Sequence, residues 1–364
     1  MGWLSAYIVC LVLGAASQTL SQTQSRSNPA AVKATEPPSV VITEDATQLI
    51  NEGNLKEALG KLDALAVDHP GLVGLEYLRG FVYYQQSDLR KAEIAFRRAI
   101  SQNPQDRESR QMLGITLYRQ GRPADAIPVL EAEHSSPAMT NVDPSYLLAL
   151  CYIDVDRYDD ARHTLAAEYG FVPDSPSAYL LTARILLRRE SMVPAESTAR
   201  KALQLNPRLP LAHKLLGEIY LAKSDINQAI QEFQSERNFN PLDATIYERL
   251  GDAYFRAGDD EQARESLNRA LLLDPHSTGP YILLGKVLVR ERNPLVATGY
   301  LERALHMDPG NYITHYLLGQ AYHASGRTQD ASREFEKSEQ LRFGADSSSA
   351  QAQSPSPYEG KLPK

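Results

Sequence analysis

The residues able to do chemistry are few and scattered along this chain. His315 and His323 lie eight residues apart on one predicted helix, near one face but two turns apart, too far for one metal ion without outside ligands. Asp259-Asp260-Glu261 and Tyr158-Asp159-Asp160 offer neighbouring carboxylates, the raw material of general acid–base work. Both clusters open predicted helices, where acidic groups favour the positive end of the helix dipole, and that role accounts for them. There is no phosphate-cradling loop, no His-Glu-x-x-His, no Gly-x-Ser-x-Gly and no Cys-x-x-Cys. No catalytic site, no metal site and no cofactor is expected, and the protein is read as not an enzyme.

The elements that carry these residues are punctuated by prolines. Pro173, Pro207, Pro241, Pro275 and Pro309 each stand 34 residues after the one before, and Pro70 and Pro104 are separated by the same step. Five of these follow Asx: Asn103-Pro104, Asn206-Pro207, Asn240-Pro241, Asp274-Pro275 and Asp308-Pro309. Proline lacks an N–H and pushes the preceding residue out of the helical region, so each marks a helix end. A stop at a fixed period implies a repeated unit that ends the same way each time. Units starting near 39, 73, 107, 142, 176, 210, 244, 278 and 312 fill residues 39–343.

Superposed, the nine units agree most where residues are small. Position twenty is Ala58, Ala92, Ala126, Ala161, Ala195, Ala229, Ala263, Ala297 and Ala331. Position eight is Gly80, Gly114, Gly217, Gly251, Gly285 and Gly319 in six units, and Ala46, Ala149 and Ala183 in the others. A glycine inside a helix costs about 0.5–1 kcal/mol against alanine, so its recurrence needs a structural reason. Close approach of two backbones, where two antiparallel helices cross, is the simplest. A large residue follows the alanine by four places, as in Phe96, Phe233 and Phe335, except at Ala199. Cys151 shares its register with Val82, Thr116, Ile185, Ile219, Ala253, Val287 and Ala321, which marks a core thiol rather than a nucleophile.

This pattern resembles the tetratricopeptide repeat, most cleanly in Leu216-Gly217-Glu218-Ile219-Tyr220 followed by Ala229, Phe233 and Asn240-Pro241. The resemblance implies an all-α fold, a right-handed superhelical solenoid of antiparallel helix pairs whose first helices line a concave groove. It implies that the fifth and ninth residues of each unit face a protein or peptide partner there. On that basis the candidate groove holds Tyr77, Phe81, Gln111, Ile115, Tyr146, Leu150, Leu180 and Arg184 in its N-terminal half. Lys214, Glu218, Glu248, Asp252, Ile282 and Lys286 follow in the C-terminal half. The first half reads as apolar and aromatic, the second as charged with both signs. The alternating Lys and Asn pattern with which some members clamp a chain-terminal carboxylate is absent, since the ninth positions of the first two units are Thr47 and Phe81.

Outside the array, Met1 to Ser25 carries no charged side chain and Trp3 to Ala16 is mostly apolar, ending in small residues. Residues 1–16 read as a signal peptide, with an uncleaved membrane anchor as the alternative. Removing it leaves Cys151 alone, without a partner for a disulfide. Residues 17–38 read as a flexible linker and 344–364 as a disordered tail rich in Ser, Pro and Gln. The one-residue insertion between units three and four, with Pro128 inside a helix and Ala138 where proline is expected, predicts a soft joint at 134–143. The net charge of −7, with no run of Lys and Arg, argues against nucleic acid. The function expected is an exported, periplasmic or secreted scaffold for protein–protein interaction. The alternatives are self-association, assembly of an envelope complex, or service as the accessory subunit of an enzyme such as a glycosyltransferase system.

Overall fold

The computed structural model describes residues 38–133 and 143–352, and the side chains of 44–133 and 143–344. Thr43–Lys364 forms one compact unit; of the other, Met1–Ile42, only the first turn of a helix is described. The expected leader and most of the linker therefore lie outside the described residues, as do 134–142 of the expected soft joint.

The described residues form eighteen helices and no strand. Units one to three hold α1 (Pro38–Asn51), α2 (Leu55–Asp68), α3 (Leu75–Gln85), α4 (Leu89–Gln102), α5 (Arg107–Arg119) and α6 (Pro123–Glu131). Units four to six hold α7 (Pro144–Asp154), α8 (Tyr158–Glu168), α9 (Pro176–Arg188), α10 (Met192–Leu205), α11 (Ala212–Ala222) and α12 (Ile226–Phe239). Units seven to nine hold α13 (Ala244–Ala257), α14 (Asp260–Leu273), α15 (Thr278–Arg290), α16 (Pro294–Met307), α17 (Tyr312–Ala324) and α18 (Thr328–Ala352). From α2 onward, each helix packs on the next in sequence, the nearest-neighbour pattern of a solenoid.

All nine position-twenty alanines are buried, and so is the whole Cys151 series. Burial pushes the Cys151 thiol up to about 12, so it is an inert core group. The position-eight glycines need a different explanation from backbone approach. A Cβ on Gly217 would lie 2.6 Å from the Phe233 ring, and one on Gly80 2.6 Å from Phe96. At Gly114 and Gly251 the obstacle is the side chain of Leu130 or Leu267, at 2.5 Å. The glycine is a socket for the large side chain sixteen residues later. Where that residue is Ala199, position eight is Ala183, which completes a matched small pair.

Boundaries differ from expectation at three places. The second helices of units three and four are short: α6 has 9 residues and α8 has 11, against 14 in α4, α10, α12, α14 and α16. Pro128 sits inside α6, where it removes one backbone hydrogen bond, and the helix ends three residues later. At the far end α18 runs to Ala352, so Gly344–Ala352 is helical where disorder was expected. No helix among the described residues is long and apolar enough to cross a membrane.

Candidate functional site

Besides packing on their partners, the first helices of the units pack on one another. Such next-but-one packing joins α3, α5 and α7, then α9 and α11, then α13, α15 and α17. These helices form a common face, and the fifth, ninth, twelfth and thirteenth residues of the units meet along it.

Along α3 and α5 that face is closed rather than open. Tyr77, Phe81 and Ile115 are 9%, 8% and 3% exposed, and Gln111 is buried with them. Tyr146, Leu150 and Leu180 are half-buried against the same core. Along α3 and α5 neighbouring first helices approach closely enough to cover what they share, so Tyr77, Phe81, Gln111 and Ile115 serve packing. Burial, then Glu108 of α5 and its N-cap Asp106, push the Tyr77 hydroxyl well above its usual range. At Tyr77, Phe81, Gln111 and Ile115 packing between helices takes the place of the expected open groove, whereas Tyr146, Leu150 and Leu180 stay partly accessible.

The C-terminal half keeps its charge, and most of it is paired. Position five reaches the start of the next first helix, 31 residues on. Lys214 hydrogen-bonds Thr245 and lies 3.7 Å from Asp243. The Glu248 carboxylate fills the space beside Gly279, where a Cβ would collide with it. Burial raises the Glu248 carboxyl above the usual range, against the pull of Arg249 and Lys214. Glu218 lies 3.4 Å from Arg249, and Asp252 lies 2.8 Å from Arg256. Ile282 is half-buried, packed against the core of the last units. Lys286 is exposed and stands 4.8 Å over the Phe255 ring; Arg184 is half-buried.

A second ladder on this face was not read from the sequence. Arg119 stands 4.6 Å over the Tyr84 ring and Arg290 stands 3.6 Å over Phe255, and one place later in the register Arg189 lies 2.5 Å from Asp154. Each pair is 35 residues apart, one repeat plus one, and a search for charges against rings at that offset would have found it. The signature tyrosines also bridge units. The hydroxyls of Tyr152 and Tyr322 donate to Glu131 (2.5 Å) and Glu302 (2.8 Å) of the preceding second helix. Among the described residues no cluster of three His, Cys, Asp or Glu could hold a metal ion. His315 instead bonds Glu334 at 2.6 Å and the Pro309 carbonyl at 3.1 Å.

Comparison with known proteins agrees with this architecture. Family models described as tetratricopeptide repeat match residues 146–210 and 282–348, and residues 244–277. The model for anaphase-promoting complex, cyclosome, subunit 3 matches residues 85–168. No curated protein matches. Among solved structures, the chain is similar to the MamA protein, with 22% identity over 47% of this chain and 94% of that one, at a TM-score of 0.43. For YrrB, described as a TPR protein with an unusual peptide-binding site, the identity is 20%, the coverage 50% and 93%, and the TM-score 0.42. For a tetratricopeptide repeat protein from Parabacteroides merdae ATCC 43184 they are 19%, 68% and 97%, and 0.39. With nine helix pairs in one register among its described residues, and repeat models matching along it, the chain belongs to the tetratricopeptide repeat proteins.

Proposed function

We propose that this protein is a non-enzymatic scaffold that holds a protein or peptide partner against the face of its first helices. The observation that carries the reading is the mutual packing of those helices across units, which sets side chains from successive repeats in line. A row of aligned helices offers an extended partner more anchoring points than one helix can. Its accessible stretch is the charged one, where Arg188, Arg256 and Lys286 are exposed. The uncharged leader and the small residues at Gly14-Ala15-Ala16 support export to the periplasm or the medium as the setting.

A photo-crosslinking residue placed at Arg256 or Lys286 tests the face. These positions are expected to give a covalent adduct with one and the same partner, and the exposed second-helix positions Val193 and Leu272 none. Adducts from Val193 and Leu272 alone would move the site to the opposite side. Export is checked by sequencing the N-terminus of the protein recovered outside the cytoplasm; a start at Met1 in the cytosol overturns it.

A further inference from the structure

We propose that Arg184 and Arg188 of α9 form a docking point for an acidic segment of the partner protein. The inference deepens the proposed scaffold reading and rests on it. The two arginines are one helical turn apart on the shared face of the first helices, Arg184 half-buried and Arg188 exposed. Among the described residues neither has an ion-pair or hydrogen-bond partner, although arginines elsewhere on the face are engaged. Arg119 and Arg290 stand on rings 35 residues earlier, at Tyr84 and Phe255. The residue 35 places before Arg188 is Ile153, a buried aliphatic side chain that offers a cation nothing. Arg256 has Asp252, Arg189 has Asp154, and Lys214 has Asp243.

Two guanidinium groups a turn apart repel each other and lower the stability of their own helix. An anion across the pair removes that repulsion, and each guanidinium can grip a carboxylate through two parallel N–H donors. The separation, about 6 Å along the axis, matches carboxylates at i and i+4 of a helix or at i and i+2 of an extended chain. Leu180, one turn earlier on α9, adds a half-buried apolar contact beside the pair. The charge is local on a chain of net charge −7, and Glu218, Glu248 and Asp252 follow along the same face. A phosphate backbone tracking the face would meet those carboxylates. A short acidic peptide stretch meets the arginines and stops.

The test is fluorescence anisotropy of the full chain with a labelled 12-residue peptide carrying Glu pairs at i and i+4, beside its Gln counterpart. The Glu peptide is expected to bind at least tenfold more tightly, and to weaken several-fold as salt rises from about 50 to 300 mM. R184E/R188E, and R188E alone, are expected to lose most of that binding while keeping wild-type helical circular dichroism. R90E, an exposed charge on α4, should change nothing. Equal binding by R184E/R188E or by the Gln peptide overturns the proposal, as does an equal loss in R90E. Preferred binding of single-stranded DNA by the same arginines would replace the peptide by a nucleic acid. If the Glu peptide fails while Arg256 and Lys286 still crosslink one partner, only the acidic specificity falls; if both fail, the face itself is wrong.

Discussion

At the scale of single residues, the glycine socket sets the sharpest expectation. Gly217→Ala gains about 0.8–1 kcal/mol of helix propensity but drives a methyl into the Phe233 ring. Overpacking wins, and a net loss of about 1–2 kcal/mol is expected in urea denaturation. Phe233→Leu added to it should recover part of the loss, and a Gly217→Ala chain more stable than wild type would refute the socket. A second expectation concerns pH. The His213 side chain lies 2.6 Å from Glu232, and that contact raises its folded pKa against the opposing effect of burial. The stabilisation is fully present below the unfolded histidine value of about 6.5 and is lost as pH rises through the higher folded value. The stability gap between wild type and His213→Gln should therefore be widest, about 1 kcal/mol, in mild acid and should close in mild alkali. A gap independent of pH would count against it. The sequence revealed that position eight must be small, because the same penalty recurs in six units. It hid the cause, since the obstructing ring lies sixteen residues away on another helix.

At the scale of helices, the recurring stops are answered by the start of the next unit. The hydroxyls of Tyr247 and Tyr281 donate to the carbonyls of Pro241 (3.1 Å) and Pro275 (3.3 Å), six residues earlier. His315 does the same for Pro309, and the Arg110 guanidinium for Pro104. At Pro173 the donor is Arg162 of α8, at 3.0 Å. Tyr281→Phe leaves the Pro275 carbonyl without this donor and is expected to cost about 0.5–1.5 kcal/mol, with amide exchange rising first at the junction of α14 and α15. Unchanged stability and exchange would assign the bond no role. Seven helix starts carry a local signal, because Asp88, Asp106, Asp143, Ser175, Asp243, Asp259 and Asn311 cap through their own side chains. The start of α11 does not. Leu211 stands there at φ 66, and the buried Glu236 of α12 accepts from its N–H at 3.0 Å and from that of Lys214 at 3.2 Å. A cap supplied from another helix leaves no local signal. Glu236→Ala should cost about 1–3 kcal/mol by leaving those groups unpaired.

At the scale of the whole array, stability is a sum of units and their junctions. Phe335→Ala is therefore expected to speed amide exchange in α17 and α18 while α3 to α6 keep their protection. Uniform acceleration along the chain would mean a single cooperative block. The period and the pairing of helices were legible because they are written in residue types repeated at fixed spacing. The candidate face was only half legible. Periodicity shows which residues share a side, but how far adjacent first helices close over Phe81 and Ile115 depends on packing between units. The proline carbonyls carry a further consequence for how the chain is made. Where the donor lies six residues beyond the proline, a unit leaving the ribosome still has its last carbonyl open. It closes when the next helix has begun to emerge, so synthesis from the N-terminus seals one junction at a time and leaves a single unfinished seam at the growing end.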